Sequence, residues 1–225
     1  MKVSTDSCIF GALVAETFAA IELNQKNKIS NYLDIGAGTG LLSLMLAQKT
    51  IGQIDAVEID VPAYEQTLSN FDNAIFQEKL AVYNKDILAF VPDKKYHGII
   101  CNPPFFEGDL KSANEQKNTA RHDTTLTILQ LFKVAAAYLQ QQGLLAVLLP
   151  YHRIALAIEI ANQLNLHLAK KIVLQHTALH PYFRGILFFS FTSDKVTTQI
   201  LTIKQADGNY TEAFTHLLKD YYLHL

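Results

Sequence analysis

Apolar and polar positions along the chain follow two alternating periods. Short apolar runs suited to strands are Asn31 to Ile35, Ile54 to Ile59, Leu80 to Asn84, Tyr96 to Cys101 and Leu144 to Leu149. Between them lie stretches of helical character: Leu41 to Gln48, a segment from Pro62 to about Asn73, and Ile154 to Leu164. Thr125 to Tyr138 also belongs here, with Leu126, Leu129, Phe132, Val134 and Ala137 at helical spacing. Gln140-Gln141-Gln142-Gly143 reads as the stop of that helix. The continuous run Leu144 to Leu149 fits a strand covered on both faces, broken by Pro150. Strands alternating with helices predict an α/β fold, a mostly parallel sheet with helices on both faces. His167 to Gln175 and Ile186 to Thr192 predict a closing antiparallel pair. Gln199 to Lys204 is a candidate edge strand, and Thr211 to Tyr222 a terminal helix behind a Gly208-Asn209 turn. At the other end, Asp6 can cap a first helix that runs to about Phe18.

Composition narrows the class. The 225 residues are 49% hydrophobic and 18% charged, enough for one domain, 1–225, with a full α/β core. No apolar run reaches membrane-spanning length and no secretory leader opens the chain, so a cytoplasmic protein is expected. Cys8 and Cys101 lack disulfide-framework or metal spacing and read as buried free thiols. The formal net charge of −2 means that a nucleic-acid partner must be met by a local basic patch. Eight histidines form no metal pattern, and no metal site is expected. His122, His176 and His180 lie in loops, where they are either solvated or in reach of phosphate.

The first candidate chemistry is Leu33-Asp34-Ile35-Gly36-Ala37-Gly38-Thr39-Gly40-Leu41, a strand, a glycine turn and a helix start. Its glycines let a ligand approach the main chain, and the helix amides would face that ligand. The spacing is one residue short of the dinucleotide fingerprint G-x-G-x-x-G. Asp34 would repel a pyrophosphate there but can pair with an ammonium group. Together these favour a cationic amino acid carrying a nucleoside, S-adenosylmethionine. Two further acids follow in order. Glu58, at the end of the second strand, can accept from both ribose hydroxyls, with Asp60 as runner-up or helix cap. Asp86, beside Ile87 after the third strand, is placed to meet the adenine.

The second candidate is Asn102-Pro103-Pro104-Phe105-Phe106 at the end of the fourth strand. The prolines fix the backbone and remove donors. The Asn102 side-chain oxygen and the Pro103 carbonyl can then both accept from one planar NH2 group, while Phe105 offers a stacking face. A rigid apolar turn is the plainer alternative. The polar stretch Glu107 to Thr124, with Lys111, Lys117, Arg121 and His122, is either a substrate loop over the site or a solvated loop.

With these stretches read, the chain resembles the Asn-Pro-Pro-Phe/Tyr class I methyltransferases. That group acts on adenine N6, guanine N2 or protein glutamine. Lys2-Val3-Ser4-Thr5-Asp6 and the ending Asn209-Tyr210-Thr211-Glu212-Ala213-Phe214…Tyr221-Tyr222-Leu223 make it similar, more narrowly, to the bacterial tRNA1(Val) adenine-N6 methyltransferases. The resemblance implies a Rossmann-like, seven-stranded, mostly parallel sheet closed by antiparallel strands. It implies methyl transfer from S-adenosylmethionine to the N6 of the adenine 3′ of the anticodon. Lys2, Thr5, Asp34, Gly36, Ala37, Gly38, Gly40, Glu58, Asp86, Ile87 and Asn102 would hold the cofactor. Asn102, Pro103, Pro104 and Phe105 would present the base. Phe106, Arg121, His122 and Arg184 are the expected contacts to a tRNA anticodon loop, and no stable protein partner is expected. Family members usually carry a further short segment, rich in Phe, Gln and His, ahead of the Lys-Val-x-Thr-Asp stretch; here that stretch begins at residue 2, so an N-terminal flap over cofactor or RNA is expected to be missing from this chain.

Overall fold

A computed structural model describes residues 3–24, 30–103, 126–192 and 195–224. In chain order the elements are α1 (Thr5–Asn24), β1 (Asn31–Ile35), α2 (Leu41–Lys49), β2 (Gln53–Glu58), α3 (Val61–Asp72), β3 (Leu80–Asn84), β4 (Tyr96–Cys101), α4 (Ile128–Tyr138), β5 (Leu139–Pro150), α5 (Ile154–Gln163), β6 (His167–Gln175), β7 (Tyr182–Ser190), β8 (Thr197–Thr202) and α6 (Glu212–Leu218). The strands form one sheet in the order β3-β2-β1-β4-β5-β7-β6-β8. From β3 to β5 every pairing is parallel. β7 runs antiparallel to both β5 and β6. The α/β class and the closing antiparallel pair are as the sequence leads one to expect.

The strand count is eight among the described residues, not seven. β8 pairs parallel with β6 along its full length, so the candidate edge strand is a true member of the sheet. Side-chain alternation sorts the core into two layers. Ala146 and Leu148 of β5 face one layer with Phe10 and Phe18 of α1, Met45 and Leu46 of α2, and Phe214 and Leu218 of α6. Leu145, Val147 and Leu149 face the other, with Phe132 of α4 and Ala157 and Ala161 of α5. Phe18 lies flat on β4: a Cβ at Gly98 would sit 2.3 Å from its ring, and the same ring stacks on Tyr32 at 5.2 Å.

Several boundaries differ from expectation for physical reasons. Gln140 to Gly143 does not stop a helix but lies inside β5. α4 ends at Tyr138, where the Lys95 ammonium donates to the Ala137 carbonyl. The polar residues that follow are accommodated by a register shift between the Tyr96–Leu139 and Gly98–Leu144 pairs. β7 starts four residues before its apolar run, because Tyr182 and Arg184 pair with Gln175 and Pro150. α1 begins before Asp6 and continues six residues past Phe18. α6 is capped by Thr211, which accepts from the Phe214 amide at 3.2 Å, and stops at Leu218 rather than Tyr222.

Candidate active site

The chain order reverses between β1 and β4. After β1 it moves outward through β2 and β3, then returns to β4 on the other flank of β1. The carboxyl ends of two neighbouring parallel strands at such a reversal leave a crevice. Ile35 pairs with Cys101, so the glycine loop and Asn102 leave the sheet side by side.

On β1, alternation turns Asp34 toward α2. The residue is fully buried, and one carboxylate oxygen accepts from the Ser43 hydroxyl at 2.7 Å. The other is buried with no partner among the described residues. Burial pushes the Asp34 carboxyl up to about 7; the hydroxyl and amide of Ser43 oppose the rise, and Glu58 adds to it. A buried acid with an open lone pair calls for a cationic donor, which fits the ammonium group of S-adenosylmethionine.

The glycine loop divides its labour. Gly36, Gly38 and Gly40 have φ of 72°, 62° and 77°, the left-handed region. At Gly40 a Cβ would lie 2.6 Å from the Phe71 ring, so this glycine lets α3 pack on the loop. At Gly36 a Cβ would meet nothing within 4 Å, so the backbone there faces open space. The loop amides are engaged within the protein: Gly36 and Ala37 donate to the Val57 carbonyl at 2.8 and 3.2 Å, Gly40 to that of Ala37 at 2.9 Å. The Gly38 amide donates to Glu58 at 2.8 Å. The helix amides expected to face the ligand begin only after these four positions, at α2; the loop itself offers an uncovered backbone at Gly36. Thr67 and Asn70 of α3 donate to the Gly38 and Thr39 carbonyls at 2.7 and 2.8 Å and hold it in place.

Glu58 is buried with both oxygens already oriented, one by Gly38 and the other by the Asp60 amide at 2.9 Å. Each oxygen keeps a second lone pair for a hydroxyl donor. Asp60 caps α3 through the Ala63 amide at 3.0 Å, which assigns the runner-up to structure. Asp86 is exposed and accepts from the Leu88 amide at 2.9 Å, with Ile87 buried beside it. Thr5 lies at the start of α1, in contact with the Tyr222 hydroxyl. Cys101 is buried between the acids. Desolvation, then Asp34 and Glu58, push its thiol well above the usual value, so it stays protonated.

On β4, the Asn102 amide nitrogen donates to the Ser7 hydroxyl at 2.9 Å. Its carbonyl oxygen is buried and has no partner among the described residues. Pro103 is buried beside it. Arg184 reaches the edge of this site from β7 and pairs with Asp6 at 2.9 Å. His176 stacks on Phe183 at 4.3 Å, and His180 bonds the Thr177 hydroxyl at 2.8 Å, both in the turn before β7. Lys2, Pro104, Phe105, Phe106, Arg121 and His122 lie outside the described residues. The sequence reading missed Ser7 and Ser43. Ser43 was legible as a hydroxyl in the first turn after the glycines, but nothing local marks Ser7. Among the described residues no cluster of three metal-ligating side chains occurs.

The model for the methyltransferase small domain matches residues 13–167. A tRNA1(Val) (adenine(37)-N6)-methyltransferase of Flavobacterium psychrophilum is 35% identical over 99% of this chain and 93% of its own. The enzyme of the same name in Klebsiella pneumoniae is 36% identical over 99% and 89%. Among solved structures, a predicted O-methyltransferase from Agrobacterium tumefaciens superposes with a TM-score of 0.70 over 94% of each chain at 16% identity. A glycopeptide N-methyltransferase complexed with S-adenosyl-L-methionine superposes at 0.57, at 10% identity, over 81% of this chain and 94% of its own. These last two speak for the fold. Matched across most of its length by the domain model and end to end by such relatives, the chain belongs to the tRNA1(Val) (adenine(37)-N6)-methyltransferases of the methyltransferase small domain family.

Proposed function

We propose that this protein transfers a methyl group from S-adenosylmethionine to the exocyclic N6 of the adenine 3′ of the anticodon in tRNA1(Val). The observation that carries the reading is the Asn102 carbonyl oxygen, buried and without a partner among the described residues, at the end of the strand next to the one that carries Asp34, which also has one oxygen without a partner among them. Two open acceptors on adjacent strands suit a cationic methyl donor and an amine acceptor held next to each other.

Asp34 receives the ammonium group, and the approaching positive charge keeps its carboxyl ionised. Glu58 accepts from the ribose hydroxyls with its remaining lone pairs, and Asp86 accepts from the adenine amine. Lys2, Thr5, Ala37 and Ile87 complete that side, with Gly36 allowing close approach. The bound cofactor supplies a methyl group on a sulfonium, which is electrophilic without further activation. Asn102, with the Pro103 carbonyl, accepts the N6 hydrogens of the target base. These contacts draw the nitrogen toward tetrahedral geometry and stabilise the positive charge that grows on it. They also align nitrogen, methyl and sulfur. The methylated nitrogen then loses a proton to water, so no strong base is needed. Pro104 stiffens the turn and Phe105 stacks the base, which an anticodon loop presents already unpaired. Phe106, Arg121 and His122 are assigned to the RNA around it. This chemistry is placed in the cytoplasm, where tRNA matures. Among the described residues no helix is long and apolar enough to cross a membrane.

The test is transfer of labelled methyl to total tRNA and, in parallel, to ribosomal RNA, with nucleoside analysis of each product. N6-methyladenosine confined to a valine tRNA is expected. N2-methylguanosine in ribosomal RNA would overturn the acceptor while keeping the cofactor site.

A further inference from the structure

Asn102 has a two-fold problem. Rotating its carboxamide by 180° exchanges the oxygen for the nitrogen, and an NH2 group aimed at an amine donor would repel it. Ser7 alone does not select the orientation, because a hydroxyl can donate or accept. The selection comes from the opening of α1 and the residue just before it. Ser4 donates its hydroxyl proton to Asp6. The Ser4 and Ser7 oxygens lie 2.8 Å apart. With the Ser4 proton committed to Asp6, the proton between the two serines must come from Ser7. Ser7 is then left as an acceptor, and only the Asn102 NH2 can face it, at 2.9 Å. The Asn102 oxygen is thereby turned the other way, to a buried position with no partner among the described residues.

The anchor of this chain is the Asp6 carboxylate. It accepts from Arg184 Nε at 2.9 Å and from the Ser7 amide at 3.1 Å, so it remains an acceptor. Arg184 is fixed in β7 by its pairing with Pro150 at the end of β5, the strand next to β4. The rest of α1 is locked in the core by Ile9, Phe10, Val14 and Phe18, all fully buried.

We infer that the Arg184–Asp6 ion pair sets the direction of a hydrogen-bond chain running Asn102 to Ser7 to Ser4 to Asp6, and so holds the Asn102 carboxamide in the orientation that accepts an amine. Ser7, Asp6 and Arg184 are positioning residues of the acceptor site. This deepens the function proposed above and gives Arg184 a task other than phosphate contact.

The test uses the full chain labelled with nitrogen-15 on asparagine side chains, the Asn102 signal being assigned by its loss in Asn102→Ala. In the unmodified protein one Asn102 amide proton is expected to be shifted downfield and slow to exchange. Ser7→Ala should collapse that signature and lower kcat about tenfold, the equivalent of one directed hydrogen bond. Cofactor Kd should be unmoved and Tm should fall by only a few degrees, and Ser7→Thr should restore both readouts. Asp6→Asn, which can donate as well as accept, should give the same spectral change with Ser7 intact. In an Asn102→Ala background Ser7→Ala should cost nothing more. An unchanged amide signal and kcat in Ser7→Ala would overturn the inference. So would Arg184→Gln if it weakened RNA binding and flattened its salt dependence while leaving the amide signal in place, since that is the behaviour of a phosphate contact. If the unmodified protein methylates no RNA, the proposed function fails, and the amide signal still decides the chain of hydrogen bonds.

Discussion

The donor half and the acceptor half of the crevice are built by opposite means. The donor half is local: glycine loop, Ser43, Glu58 and α3 lie within one stretch of chain, and their bonds span at most 31 positions. The acceptor half joins residues 95 and 178 positions apart, Asn102 to Ser7 and Arg184 to Asp6. A local site is specified by a motif, whereas a remote one is specified by the fold that brings its parts together. Substitutions should therefore separate cleanly: cofactor affinity and stability on one side, turnover on the other.

The sharpest separation is expected at Asn102. Asn102→Ala removes the acceptor that stabilises charge in the transition state, so methyl transfer should fall by about 10²–10³-fold. Equilibrium binding of S-adenosylmethionine, measured by calorimetry, should change less than twofold. Equal losses in both would break the division.

Asp34 should behave in reverse. Asp34→Asn should weaken cofactor binding by at least about tenfold, as expected for loss of a charge-assisted hydrogen bond. Its pH dependence sharpens the point. The folded protein without cofactor holds the Asp34 proton up to about 7, whereas an ordinary carboxyl releases it near 3.8. Between these values the native state binds the extra proton, so rising pH lowers the stability of the cofactor-free protein through that window. Binding of an ammonium needs the ionised form, so cofactor affinity should rise with pH up to about 7 and level off above it. Asp34→Asn should flatten that profile; a flat profile in the unmodified protein would remove Asp34 from the ammonium site.

Within the glycine loop the comparison is finer. Gly40→Ala adds a clash with Phe71 to an unfavourable φ and should cost about 1–3 kcal/mol of stability. Gly36→Ala carries the φ penalty without the clash, and should instead show its larger effect on cofactor affinity, because its side chain enters open space. Urea unfolding and cofactor titration of the pair should rank oppositely. The smallest effect is at Asp60. Asp60→Ala should lose about 1 kcal/mol of helix capping and leave cofactor affinity unchanged. A large loss of affinity there would return the ribose role to Asp60.

The same contrast explains what could be read from the sequence. β1 and β4 fall where their apolar runs lie, because a buried parallel strand advertises itself residue by residue. Asp34 and Asn102 can be picked out because a glycine or proline turn follows close on each, and Glu58 because it ends the second strand about 20 residues beyond the glycines. The polar start of β5 and the first residues of β7 carry no such signal, since pairing with neighbours and not hydrophobicity puts them in the sheet. Arg184 reads in the sequence as a contact to the anticodon loop because a lone arginine there shows its charge and not the carboxylate it pairs with across the fold.

The placement of Arg184 has a consequence for an emerging polypeptide. Asp34, Glu58 and Asp86 are all synthesised within the first 86 residues, whereas the arginine that secures the opening turn is made almost a hundred residues later. A nascent or truncated chain that ends before β7 can hold every donor-side acid and still lack the clasp that turns Asn102 toward its substrate. By the proposed hydrogen-bond chain, competence to modify RNA is deferred until β7 has been made, and a nascent copy that stops short of it is expected to be silent.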